Sequence, residues 1–329
     1  MREKARGGMM KIGVIFPGQG SEYDGMCKAF FTQERMVQEY FDRASHCLDM
    51  SALKLCFGGR HSLLHGTKNI QLALFITGVV TLAAIRDKLD FPLDVMAGHS
   101  CGEYAALCAS GGFSFEDGLY LVRKRAECMQ RATQEVQGCM YAVLGLPGDI
   151  VAEVCRKHDD PSSQNFVAQV ANYNAPTQTI ITGTEKALQH VAAQLKALKG
   201  RVIPLKVTGA FHSRLMNEAE ASFRSYLYTS DFYNLKTPVV SNSSALIMRT
   251  GDEVVAEMKR QMSSSVLWWQ SMQHFCSCDL IIQVGPGDIY ARMLKREWPE
   301  KHIISVSAPK DLPHLEEMLL QARKDSLGK

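Results

Sequence analysis

The run Gly98-His99-Ser100-Cys101-Gly102 limits the fold more than any other part of the chain. Ahead of it, residues 93–97 (LDVMA) read as a buried strand, and behind it an Ala- and Leu-rich stretch reads as a helix. Glycine at both ends lets a strand turn into a helix within a few residues without a Cβ clash. Such a turn is the joint of a parallel α/β sheet whose faces are covered by helices. Residues 11–16 (KIGVIF) followed by Pro17-Gly18-Gln19-Gly20 repeat the plan, a short apolar run ending in a glycine loop. A helix is expected around 28–42 and a buried core helix from about Ile70. Strands at 237–241 and 279–284, and a helix from Asp311 onwards, continue the pattern near the end.

The middle of the chain reads differently. Strands are expected at 139–146, 167–173, 179–182 and 201–207, with helices at 149–157 and 184–198. Asn174-Ala175-Pro176-Thr177 forms the hairpin turn between the second and third strands. The order β-α-β-β-α-β over about seventy residues is that of a ferredoxin-like unit. The expected architecture is an α/β-hydrolase-like parallel-sheet domain, residues 1–136 and 208–329, interrupted by a ferredoxin-like subdomain at 137–207.

Composition narrows the function classes. The chain has 329 residues, 46% of them hydrophobic, enough for a large buried core. Lys and Arg number 37 against 34 acidic residues, a formal +3. A nucleic-acid binder relying on a broad basic face would show a clear cationic excess, so that class is disfavoured. Ten cysteines occur without a C-x-x-C pair or zinc-finger spacing, and no secretory signal precedes them. They read as reduced, mostly buried thiols of a cytoplasmic protein. The longest apolar stretch, 72–85, reads as too short for a membrane span. Residues 1–10 read as a disordered leader or a cloning remnant.

The glycine-flanked Ser100 fits G-x-S-x-G, the nucleophile elbow, which projects a hydroxyl beside a helix N-terminus. A serine nucleophile needs a base. His212, in Gly209-Ala210-Phe211-His212-Ser213, is one candidate; His99 is its rival, although its side chain should point away from Ser100. A lone histidine is also often a satisfied structural group, and the residues alone leave this open. The loop FPGQG reads as a turn or a phosphate cradle. It lacks the Lys-Ser/Thr of a P-loop and a full G-x-G-x-x-G, which disfavours nucleotide hydrolysis and hydride transfer. Gly285-Pro286-Gly287 reads as a turn. Arg125, beside Arg123 and Lys124, reads by itself as an exposed helix charge.

Taken together, these pieces resemble the malonyl-CoA:acyl carrier protein transacylase family. The similarity is collinear from Ile12 to Lys295 through seven motifs: FPGQGS, AGHSCGEYAAL, LVRKRAECMQ, NYNAPTQTIITG, GAFHSRLM, RQMSSSVLWW and QVGPGDIYARMLKR. The resemblance implies that Ser100 attacks the thioester of malonyl-CoA, with His212 as general base and then acid. It implies that backbone carbonyls, rather than a carboxylate, orient that histidine. Backbone N–H groups of Gln19 and Cys101 would form the oxyanion hole, and Arg125 would grip the malonyl carboxylate. Gln261 would sit beside the active site, and Phe211 would exclude an α-methyl branch. The implied reaction is ping-pong, with the phosphopantetheine thiol of an acidic acyl carrier protein as acceptor. No metal or bound cofactor, nucleic acid or membrane is implied.

Arg123, Lys124, Arg214, Lys295 and Arg296 are candidates for a carrier-docking patch. Glu22, Cys101 and Leu72 depart from the usual pattern. Cys101, a thiol beside the nucleophile, suggests sensitivity to oxidation or alkylation; Glu22 is expected to be exposed. An acyl hydrolase acting on carrier proteins and a non-catalytic carrier-binding module are the rival readings. Such hydrolases generally lack the arginine, so Arg125 favours transfer; fatty-acid and polyketide pathways both fit.

Overall fold

In the computed structural model, residues 10–58, 62–207 and 209–327 are described. Residues 1–9 of the expected leader, and Thr208, lie outside them. Among the described residues the ten strands are β1 (Ile12–Phe16), β2 (Val95–Gly98), β3 (Cys139–Leu144), β4 (Ala168–Ala175), β5 (Gln178–Gly183), β6 (Arg201–Pro204), β7 (Val239–Val240), β8 (Ile247–Met248), β9 (Leu280–Val284) and β10 (His302–Val306). Two compact units result: residues 1–120, 234–240 and 274–329 form the first, and 121–233 with 241–273 the second.

In the first unit, β10-β9-β1-β2-β7 lie side by side in that order and all run parallel. β1, β2 and β9 are buried at every position, as unbroken apolar runs covered on both faces should be. The helix Thr67–Lys88 is buried almost all round from Gln71 to Ile85. At 22 residues it is longer than the 72–85 run suggested, and long and apolar enough to cross a membrane. However, 78% of its most apolar stretch is buried within the protein, so it serves as a core helix. Gly78 lets it approach closely: a Cβ there would lie 3.2 Å from the Phe16 ring and 3.3 Å from Ala105 Cβ.

The helix expected at 28–42 is two helices, Lys28–Gln33 and Arg35–Leu48, separated by an extended Glu34. The break lets aromatic rings meet: Phe31 lies 5.4 Å from Phe41 and 5.3 Å from Phe57, edge to face. A continuous helix would hold Phe31 and Phe41 about 15 Å apart along its axis.

The second unit contains the antiparallel sheet β4-β5-β3-β6. Helices Gly148–Lys157 and Glu185–Ala197 pack on it through Val151, Val154, Leu188 and Val191. The turn between β4 and β5 falls at Pro176-Thr177, within the expected hairpin. This unit extends beyond 137–207 on both sides. Val266 explains part of that extension: it bridges to Asn172, and its N–H and C=O bond to Ala171 O (2.8 Å) and Tyr173 N (2.9 Å). Residues 241–273 are thereby attached to the edge of β4.

Candidate active site

Three glycine loops follow the C-terminal ends of adjacent strands β2, β1 and β9 in the first unit. This is the edge at which open α/β sheets bind ligands. At the first, Ser100 adopts φ 53°, a left-handed conformation that costs a non-glycine residue about 1–2 kcal/mol. Neighbouring glycines make the turn possible. A Cβ on Gly98 would lie 2.0 Å from the Gly102 carbonyl group, and one on Gly102 would lie 2.5 Å from Phe16 O. Cys101 then caps the helix Gly102–Ala109. Ser100 is half-buried there, and His99 turns aside onto the Tyr290 ring, centroids 4.8 Å apart.

The loop after β1 lies directly against this elbow. His99 N donates to Phe16 O at 3.0 Å. A Cβ on Gly18 would stand 2.6 Å from His99 O, so Gln19 follows a backbone already in contact with the residue before Ser100. Glu22, expected to be exposed, is half-buried and accepts the Gly20 N–H at 2.7 Å. Its carboxylate therefore has a structural use in shaping the loop. The loop after β9 is held by Gln283, which donates to Gly287 O (2.9 Å) and accepts from Ala291 N (2.8 Å). Burial pushes the Tyr290 phenol well above its ordinary pKa, so it stays neutral.

The remaining candidates lie in the second unit. Arg125 is not an exposed helix charge but is fully buried. It shares the apolar stripe of the helix Phe115–Glu135 with Leu121, Val122, Ala126 and Met129. Its Nε and Nη2 donate to Gln261 Oε1 at 3.2 and 3.0 Å. Arg123 and Lys124, by contrast, are half-buried and pair with Glu127.

His212 is buried and also adopts a left-handed conformation, φ 56°. Its Nδ1 lies 3.1 Å from Gln261 O and 3.0 Å from Ser264 O. Carbonyl oxygens can only accept, so the Nδ1 carries the proton and Nε2 is left as the basic nitrogen. Downstream, Ser213 Oγ caps the short turn Arg214–Met216 by accepting from Leu215 N. Arg214 Nη1 grips both Asp159 oxygens at 2.6 and 2.7 Å. Arg214 is thus committed inside its own unit and is removed from the docking candidates. Phe211 is buried as well, 6% exposed.

Gln261 is the residue these contacts share: its side chain receives Arg125 and its backbone carbonyl receives His212. Residues the sequence reading missed include Gln283 and Tyr290. Gln283 had a visible signal, as the lone polar residue of the strand LIIQV. Among the described residues, no group of three or more His, Cys, Asp or Glu side chains could hold a metal ion.

A family model described as acyl transferase domain matches residues 14–316. The chain is 34% identical over 321 residues to the malonyl CoA-acyl carrier protein transacylase of Bacillus subtilis (strain 168), covering 96% of this chain and 98% of that protein. Its structure is similar to that of an acyl-carrier-protein S-malonyltransferase from Burkholderia pseudomallei 1710b, with a TM-score of 0.87 and 33% identity. That match covers 93% of this chain and 99% of the other. A type II PKS acyl-carrier protein in complex with its malonyl-transacylase provides a further match, with a TM-score of 0.87 and 26% identity, covering 96% and 99%.

Proposed function

Since the chain belongs to the acyl transferase family, we propose that it transfers the malonyl group of malonyl-CoA to the phosphopantetheine thiol of an acyl carrier protein. The larger fold is read as α/β-hydrolase-like, and the four-stranded unit with its β-α-β-β-α-β order as ferredoxin-like.

The reaction runs in two halves through one serine. Ser100 Oγ attacks the thioester carbonyl while His212 Nε2 takes its proton. The tetrahedral oxyanion is received by the backbone N–H groups of Gln19 and Cys101, donors worth roughly 3 kcal/mol each in comparable sites. Collapse breaks the C–S bond, and the imidazolium returns the proton to the departing CoA sulfur. The carrier thiol then repeats the sequence on the malonyl-serine ester, restoring Ser100. The two carbonyls at Nδ1 favour the imidazolium of each transition state without a carboxylate.

Arg125 pairs with the malonyl carboxylate, with Gln261 setting the plane of the guanidinium. The buried Arg125–Gln261 pair is the observation that carries the proposal, because it offers an anion site beside the residue that orients the base. It also favours transfer of malonyl over general acyl hydrolysis. Phe211 is assigned to exclusion of α-branched acyl groups. The chemistry requires no metal or cofactor. The carrier partner is read as acidic, and the setting as cytoplasmic, without nucleic acid or membrane. Lys295 is exposed on the helix Ile289–Glu297 and remains a docking candidate.

Intact-mass measurement after incubation with malonyl-CoA, acetyl-CoA or methylmalonyl-CoA tests the proposal. A malonyl adduct is expected that is lost in Ser100→Ala and transferred to added holo carrier protein. An adduct formed only with uncharged donors overturns the role of Arg125. Loss of the adduct to water, merely accelerated by carrier, would favour the hydrolase.

A further inference from the structure

The helix Asn217–Leu227 begins just after the His212 turn and presents Glu220 and Arg224 one turn apart. Glu220 is a buried carboxylate, 5% exposed. Its Oε1 accepts Arg224 Nη2 at 2.7 Å, and its Oε2 accepts both the Ser263 N–H (3.3 Å) and the Ser263 hydroxyl. Arg224 Nε in turn donates to Lys259 O at 3.1 Å. The pair therefore grips the chain at 259 and 263, on either side of Gln261. That stretch and the residue after it supply both carbonyls that meet His212 Nδ1.

Burying a carboxylate is costly unless donors replace its water. Here three donors do so, and two of them belong to Ser263. Charge-assisted hydrogen bonds are stronger and shorter than neutral ones, so this is a stiff anchor for an otherwise irregular segment. Glu257 acts on the same segment from the other direction, receiving Ser241 Oγ at 2.6 Å, Ser243 N at 2.9 Å and Arg260 Nε at 3.3 Å.

We propose that Glu220 is a positioning residue for His212. Through Ser263 it fixes the 261–264 carbonyls against Nδ1, which holds the imidazole plane and keeps Nε2 as the proton acceptor. Glu220 itself touches neither substrate nor the reacting atoms. The inference rests on His212 being the general base. A displacement of about 1 Å at such a group costs on the order of a hundredfold in rate, so a loosened anchor is visible kinetically.

The test measures single-turnover acylation by malonyl-CoA in Glu220→Ala and Ser263→Ala, each also placed in a His212→Ala background. Each single variant is expected to slow acylation about tenfold or more, with the KM for malonyl-CoA within about twofold of wild type. The double variant Glu220→Ala/Ser263→Ala should be no slower than the slower single, because Glu220→Ala already removes the hydroxyl bond that Ser263→Ala cuts. In the His212→Ala background neither should slow the residual reaction further. Folded Glu220→Ala acylating at the wild-type rate overturns the proposal, as does an equal slowing in both backgrounds, which marks a general structural role. Should Glu220→Ala fail to fold, Ser263→Ala decides by the same outcomes, since it leaves the Glu220–Arg224 pair intact. A wild-type rate in His212→Ala alone instead overturns the catalytic assignment, and this inference with it.

Discussion

Replacing Arg125 by methionine isolates the proposed anion site from the packing around it. Methionine keeps an unbranched stem on the buried face of the helix Phe115–Glu135 but removes every guanidinium donor. Arg125 is fully buried, so a malonyl carboxylate bound there has exchanged its water for the guanidinium. Removing one partner of a buried ion pair costs about 3–5 kcal/mol, because the other charge is left uncompensated. At 1.36 kcal/mol per decade, kcat/KM for malonyl-CoA should fall by about two to nearly four orders of magnitude. Acetyl-CoA carries no carboxylate and should react within about threefold of its wild-type rate. The assay is CoA release with holo carrier protein as acceptor, run with each donor on protein shown folded by thermal melting. An equal fall for both donors would refute the reasoning, since it would make Arg125 a scaffold residue. Retained malonyl activity would refute it too.

Three further outcomes are expected. Ser100→Gly should be more stable than Ser100→Ala by about 1 kcal/mol in urea unfolding, because φ 53° suits glycine, while both are inactive; equal stability would remove the strain argument. Brief iodoacetamide treatment should label the exposed Cys47 and Cys276 and leave transfer unchanged, since Cys101 is 1% exposed despite lying beside Ser100; rapid loss of activity with Cys101 labelled would contradict this. Stability should fall between about pH 9 and 12 under reducing conditions. Burial pushes the Cys27, Cys108, Cys155 and Cys278 thiols up from 9.0 to about 12. The folded state thus holds protons the unfolded state releases, and each thiol contributes a slope of up to about 1.4 kcal/mol per pH unit. Melting temperatures at pH 8, 9 and 10 would check this, and a flat profile would count against it.

The parts legible in the sequence are those whose cause is local. Gly98 and Gly102 declare the elbow because no other residue fits the 2.0 and 2.5 Å approaches they make. The hairpin at Pro176-Thr177 and the order of the second unit's elements follow from turn chemistry and periodicity. Parts with long-range causes were hidden. The break at Glu34 answers to three phenylalanines, one of them at position 57. Val266 joins β4 from ninety-odd residues away along the chain, and nothing in Ser263-Ser264-Ser265 announces it. Glu220, on a charged amphipathic helix, has the look of a surface acid until Ser263 is placed against it. β10 is a different case: HIISV is an apolar, β-branched run that could have been read as a strand. The burial of Arg125 was also visible in principle, through its spacing from Leu121, Val122 and Met129.

The two contacts of Gln261 differ in how they can change over evolutionary time or under engineering. Arg125 is held by its amide side chain, which a single codon can alter; His212 is held by its backbone carbonyl, which every amino acid possesses. On the roles proposed for Arg125 and His212, substitutions at this position retune which acyl charge is welcomed while the proton-transfer apparatus stays intact. The proposed recognition and base functions meet in one residue yet are inherited separately, which makes position 261 a natural place for a new acyl specificity to begin.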